Sequence, residues 1–254
     1  MEPSIFFPVA AGVLGAILGS FLNALLFRYN TGRSVLRGRS QCMRCAHTLS
    51  VLDLIPLLSF AFLRGKCRYC GCRLSVQYPL VEAAGAALGV LLFLQNPEPL
   101  AFALSLAAWM TLLFILVYDL KHQIIPWAAS GLLAVLALAH VVLAGPTLSS
   151  LVAGPLLALP LVLLSAVSAG RWMGWGDGAL ELGLGWMLGL SAGLTAFMFA
   201  FWIGAAVGIA LTFGFKGYTM KSEVPFAPFL IAGAALATFL HVDIFPYLTT
   251  ILGL

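Results

Sequence analysis

Apolar residues run in long blocks along this chain, and polar ones are confined to the short breaks between blocks. A helix that crosses a bilayer needs roughly 20 mainly apolar residues. Blocks of that kind lie near residues 4–27, 78–94, 101–118, 124–144, 148–168, 179–193, 194–215 and 227–250. The pattern predicts an all-α polytopic membrane protein of about eight transmembrane helices, the sixth being the shortest. One break is different in kind: residues 28–77 are polar and long enough to fold outside the bilayer. The expected organisation is a first span at 1–27, a cysteine-rich loop domain at 28–77 and a membrane domain of about seven helices at 78–254.

Composition supports this reading and excludes a soluble domain. The chain is 62% hydrophobic and 9% charged, against about 25% charged residues in ordinary globular proteins. Glycines recur within the blocks, as at Gly12, Gly15 and Gly19 or Gly183, Gly185 and Gly189, where small residues let neighbouring helices approach closely in lipid. Basic residues set the expected orientation, because short cytoplasmic loops retain Lys and Arg. Nine of the thirteen lie between Arg28 and Arg73, and the rest are Lys121, Arg171, Lys216 and Lys221. Eight spans put all of these on one side, and Glu2, Glu98 and Asp243 on the other. The loop is therefore expected in the cytoplasm and both termini outside, in a multi-pass membrane protein. Met1 to Pro8 lacks a basic n-region, so no cleaved signal peptide is expected. The net charge of +4 calls for no nucleic-acid partner; a basic loop beside a membrane suits anionic lipid headgroups.

Four loop cysteines are spaced as Cys42-Met-Arg-Cys45, then 21 residues, then Cys67-Arg-Tyr-Cys70. Each CxxC pair turns two thiolates round a tight knuckle, and two knuckles supply the tetrahedral sulfur shell a structural zinc ion prefers. Disulfides are disfavoured in a reducing cytoplasm. The reading is a zinc-ribbon-like loop, with Cys72 a bystander thiol or an alternate for Cys70, and His47 a neighbour of the site. About fifty residues hold too little apolar surface to fold unaided, so the metal contributes folding energy. With four sulfur ligands no coordination position is left open for catalysis.

Catalysis is therefore sought among carboxylates, since ionisable groups at membrane depth are costly and mark function. Asp119 ends the third block, in Tyr118-Asp-Leu-Lys-His-Gln-Ile-Ile-Pro126, and Asp177 stands in Gly174-Trp-Gly-Asp177-Gly178. Two carboxylates close together in a low-dielectric site do not both ionise readily, so one keeps its proton while the other serves as base. Gly174 and Gly176 would let substrate backbone approach Asp177. The structural alternatives are a helix-capping Asp177 and a solvated Asp119 paired with Lys121. Asp53, Glu82 and Glu181 are assigned structural roles, capping helix starts or pairing with loop arginines.

Taken in order, these motifs give the chain a resemblance to the type IV prepilin peptidase family. It begins at Gly19-Ser-Phe-Leu-Asn23, passes through both CxxC pairs, Leu52-Asp-Leu-Ile-Pro-Leu-Leu-Ser59 and Tyr78-Pro-Leu-Val-Glu82, and resumes at Asp119, Ile125-Pro126, the GxGD of Asp177 and Pro225-Phe-Ala-Pro-Phe229. The resemblance implies an intramembrane aspartic protease with Asp119 and Asp177 as its catalytic pair. It would remove short basic leaders from prepilins or pseudopilins after a glycine, at the cytoplasmic face. Family members with the cysteine loop often also N-methylate the new terminus from S-adenosylmethionine, although no residue here is assignable to the donor. The chain departs from the family pattern at Ala179, where the family commonly has Lys, and at Trp127, where it often has Asp. Two readings from other classes are a proton-coupled transporter, whose carboxylates belong nearer the midplane, and a non-catalytic assembly protein built on the zinc loop.

Overall fold

A computed structural model describes residues 5–32, 34, 38–214 and 224–246. Lys216, Lys221, Glu2 and the end of the eighth block lie outside the described residues. The elements follow the order α1 (Phe6–Arg28), a short 3-10 helix (Val51–Leu54), α2 (Leu58–Phe62), α3 (Gln77–Gln95), α4 (Pro99–His122), α5 (Trp127–Ala144), α6 (Leu148–Ser168), α7 (Trp175–Leu188), α8 (Leu190–Gly214) and α9 (Ala227–Phe239). Six of them, α1, α3, α4, α5, α6 and α8, are long and apolar enough to cross a membrane, and α9 is a shorter apolar helix. The chain forms two compact units, Met1–Phe114 and Ile115–Leu254, with the division inside α4.

In the first unit α1 and α3 run antiparallel with their backbones in near contact. A Cβ on Gly19 would stand 2.7 Å from the carbonyl oxygen of Val81, and Gly15 and Gly85 meet backbone to backbone. Only glycine permits that approach. Asn23, one turn beyond Gly19 and buried, donates from Nδ2 to the carbonyl of Tyr78 at 3.2 Å, while Gln77 Nε2 donates to Asn23 Oδ1 at 3.1 Å. The Gly19–Asn23 and Tyr78–Glu82 motifs are thus two halves of one helix junction.

In the second unit α7 lies between α5 and α6. A Cβ on Gly176 would sit 2.8 Å from Cβ of Ile125, and one on Gly183 would sit 2.8 Å from Cγ of Leu133, so α5 and α7 run parallel. A Cβ on Gly178 would sit 2.7 Å from Val162, and one on Gly185 would sit 2.8 Å from the carbonyl oxygen of Ala153, so α6 runs the other way. Helix α9 packs on α8 through Gly233 against Ala196. Asp243, beyond α9, accepts from the Ser191 hydroxyl at the start of α8 at 2.8 Å.

Helix α7, matching the expected sixth span, begins at Trp175, four residues before the apolar block expected at 179, and stops at Gly189 with φ of +77°. Its first turn, Trp175-Gly-Asp-Gly178, is polar and glycine-rich enough that hydropathy assigns it to a loop. Its 14 residues span about 21 Å at 1.5 Å per residue.

Candidate active site and metal centre

The two cysteine knuckles are copies of one design. Cys42 N–H donates to His47 O at 3.0 Å and Ala46 N–H to Cys42 O at 2.9 Å; in the second knuckle Cys67 N–H donates to Cys72 O at 2.8 Å and Gly71 N–H to Cys67 O at 2.9 Å. Ala46 and Gly71 both take positive φ, 56° and 69°. Single bridges, Gln41 with Thr48 and Lys66 with Arg73, close the two knuckles. Every position of the first recurs 25 residues later in the second, so Cys72 stands where His47 stands.

The sulfurs of Cys42, Cys45, Cys67 and Cys70 all lie within 4.8 Å of one another, with Cys42 and Cys70 at 3.9 Å. A tetrahedron with Zn–S of about 2.3 Å has S···S edges near 3.8 Å, so the donor set fits. Backbone N–H groups of Cys45 and then Arg44 lower the Cys42 thiol to about 6. Cys45 moves the other way: the His47 N–H favours its thiolate, but burial and the neighbouring Cys42 and Cys70 sulfurs push it up to about 11. Four thiolates in one shell need a cation to coexist. The fifth thiol, Cys72, is 3.7 Å from Cys42 Sγ, and its contact with Cys70 and its burial push it up to about 12.

His47 stacks on Tyr69 with ring centroids 3.7 Å apart. The Tyr69 hydroxyl donates to Asp53 Oδ2 at 3.1 Å, and Arg68 Nε meets Asp53 Oδ1 at 2.6 Å. Asp53 also closes the start of its 3-10 helix, accepting from Ser50 N–H at 3.0 Å. Capping and arginine pairing, both expected of Asp53, are combined in one side chain. Glu82 differs from expectation. Because α3 begins at Gln77, Glu82 falls beyond the first turn, where it is buried and accepts from the N–H of Leu57 at 2.8 Å. Glu181 is likewise carried past the first turn of α7 by the early helix start, and is buried there at 2% exposure.

Asp119 and Asp177 both belong to the second unit and both are buried, at 4% and 8% exposure. Asp119 is therefore not a solvated charge. Its Oδ2 has no hydrogen-bond partner among the described residues. Helix α4 ends three residues later, and Gln123, at φ of 53°, turns the chain into the stretch leading to Pro126 and α5. Asp177 lies in the first turn of α7, and its Oδ2 accepts from Gly174 N–H at 3.1 Å. Asp177 thus caps its own helix, as the structural alternative expected, with one oxygen. The turn before it is held by buried Ser165, whose hydroxyl donates to the carbonyls of Met173 at 3.0 Å and Gly174 at 3.1 Å. Packing of Gly176 on Ile125 brings the start of α7 against the segment that follows Asp119.

An apolar groove of about 300 Å³ opens against Gly178 and Ala179, the residues that follow Asp177. Trp127 and Trp175 form part of its wall. Both positions at which the chain departs from the family pattern, Trp127 and Ala179, therefore line one groove. Exposed Trp127, Trp172 and Trp175 gather at the α5 and α7 starts, in the manner of an interfacial aromatic belt.

Comparison with known proteins bears on this arrangement. A family profile described as Bacterial Peptidase A24 N-terminal domain matches residues 13–96. A Bacillus subtilis (strain 168) protein named prepilin leader peptidase/N-methyltransferase is 34% identical over 238 residues, covering 89% of this chain and 91% of that protein. The chain belongs to the prepilin leader peptidase family. Another member, from Myxococcus xanthus (strain DK1622), is 35% identical over 218 residues, 81% of this chain and 63% of that protein. A third, from Aeromonas salmonicida (strain A449), is 33% identical over 217 residues, 81% of this chain and 72% of that protein. No solved structure matches the chain.

Proposed function

We propose that this chain is a membrane-embedded aspartic endopeptidase that removes the basic leader from type IV prepilins or pseudopilins, after a glycine, at the cytoplasmic face of the bacterial inner membrane. The observation that carries this reading is the pair of buried carboxylates, Asp119 with an unpartnered oxygen and Asp177 held by Gly174, in a chain whose relatives bear the name prepilin leader peptidase/N-methyltransferase. One carboxylate takes a proton from a water attacking the scissile carbonyl. The other, protonated, stabilises the developing oxyanion and then protonates the leaving amine. The hydrogen bond from Gly174 fixes which oxygen of Asp177 faces its helix and leaves the other for this chemistry. Gly174 and Gly176 keep the approach to the carboxylate clear of side chains.

Two further parts of the reading concern location and cofactor. Nine basic residues between Arg28 and Arg73 favour a cytoplasmic loop with the termini outside. Counting spans, the end of α4 and the start of α7 fall on the loop's side, where a basic leader would be met. The loop's own charge repels such a leader, so recognition falls to the substrate's apolar helix, for which the groove at Ala179 offers a matching wall. Cys42, Cys45, Cys67 and Cys70 would hold one zinc ion, which supplies structural cross-linking and no open coordination site. No residue is assigned to methyl transfer.

Coexpression with a candidate prepilin, followed by mass measurement of the prepilin N-terminus, tests the activity. We expect loss of the leader after its glycine. An intact leader in cells holding the membrane-inserted protein would refute it.

A further inference from the structure

Between the two knuckles runs an apolar stretch, residues 51–62, that the loop leaves uncovered. Val51 is 76% exposed, Leu52 64%, Leu58 56% and Phe62 83%, with Leu54 and Ile55 also exposed. Contiguous apolar surface of this kind on a soluble loop marks an interaction site.

Bonds at its two ends fix where this stretch sits. Asp53 is tied to Arg68 and Tyr69 of the second knuckle. Four residues on, Leu57 takes a positive φ of 60° and gives its N–H to Glu82. Glu82 is the sixth residue of α3, roughly 8 Å along the helix from Gln77 at 1.5 Å per residue. Helix α3 is long and apolar enough to cross a membrane, and Leu80, just before Glu82, presents a 64% exposed side chain. Leu58 therefore stands level with a lipid-facing residue of a spanning helix. Past Phe62 come the exposed basic residues Arg64, Lys66, Arg68 and Arg73. Apolar side chains at the acyl boundary with basic ones beside them are the composition of an interfacial segment.

We propose that residues 51–62 form an interfacial element that inserts Leu52, Leu58 and Phe62 into the adjoining lipid leaflet, with Arg64 and Lys66 at anionic headgroups, so that the metal knuckles are moored on the membrane surface. Lipid is the occupant because the apolar surface continues that of Leu80 and because the basic rim attracts anionic headgroups. A basic leader would be repelled by the same rim.

The test uses full-length, zinc-loaded protein in vesicles of phosphatidylethanolamine and phosphatidylglycerol, with one photoreactive residue at position 52, 58 or 62. Position 91, exposed on α3, is the lipid-facing control, and position 43, exposed on the first knuckle, is the aqueous one. After illumination, mass spectrometry is expected to find lipid adducts at 58 and 62 comparable to those at 91 and several-fold above 43. Adducts at 58 and 62 no more abundant than at 43, with 91 labelled, would overturn the proposal. Replacement of lipid adducts by prepilin adducts when prepilin is co-reconstituted would also overturn it, in favour of a substrate-docking surface.

Discussion

Gly176 and Ile125 touch where the two aspartate motifs meet: a Cβ added to Gly176 would lie 2.8 Å from Cβ of Ile125. Neither atom can give way easily, because Ile125 is buried and fixed by the following Pro126 at the start of α5. Gly176 of GxGD thus has a packing role beside the substrate path proposed for it. It sets how closely the start of α7 approaches the segment that carries Asp119.

Gly176→Ala is accordingly expected to push α7 away and to lower the leader-cleavage rate roughly 100-fold, the order of loss that a displacement of about 1 Å brings at a reacting centre. Gly208→Ala is the comparison, since a Cβ there meets nothing within 4 Å, and it should cleave at the normal rate. Metered cleavage of a prepilin in proteoliposomes checks both.

The metal centre gives a second expectation, read by metal analysis of protein purified without chelators. One zinc per chain is expected in the wild type and in Cys72→Ser, and none in Cys42→Ser or Cys67→Ser. Chelation should leave the spanning helices folded while exposing the knuckles to protease, as expected of a loop that owes its fold to a metal. Cys72→Ser protein devoid of zinc would show that the fifth thiol belongs to the ligand set.

Asp53 carries a pH dependence with a definite sign. Burial acts to raise its carboxyl, but hydrogen bonds from Arg68, Ser50 and Tyr69 outweigh it and hold the group at about 2, below its ordinary value of 3.8. A depressed folded value contributes stability that is fully present above the unfolded value and lost as pH falls through the folded one. With the metal bound, Asp53→Asn should therefore lower the unfolding temperature by the same amount at every pH from about 6 to 8, where the carboxylate of Asp53 is fully ionised. An unfolding temperature unaffected by Asp53→Asn would exclude the ion pair as a source of stability.

Much of this architecture was legible in the sequence because lipid imposes long apolar blocks, and six helices follow the expected spans closely. The cysteine set was equally plain, since its spacing carries the geometry. The early start of α7 was not, because Gly174-Trp-Gly-Asp177 reads as a loop until Asp177 is seen to cap its own helix. The same error hid Glu181, taken for a residue at a helix end and found buried within one. Glu82 and Asn23 escaped for another reason: their partners, Leu57 and Tyr78, lie far along the chain, and hydropathy carries no record of long-range hydrogen bonds. The likeness of Cys72 to His47 was visible as a repeat at 25 residues, once each knuckle was extended beyond its CxxC.

The central claim is that Asp119 and Asp177 act as one unit, and cleavage by three variants in proteoliposomes tests it most directly. Asn keeps the size of Asp and can preserve the contact to Gly174, but it cannot serve as a carboxylate base. Asp119→Asn and Asp177→Asn should each leave a zinc-loaded, membrane-inserted protein that no longer removes the leader. Groups that act together lose activity non-additively, so the double variant should be no worse than the more damaged single one. A folded Asp177→Asn protein that processed prepilin near the wild-type rate would contradict the account and leave Asp177 as a helix cap alone.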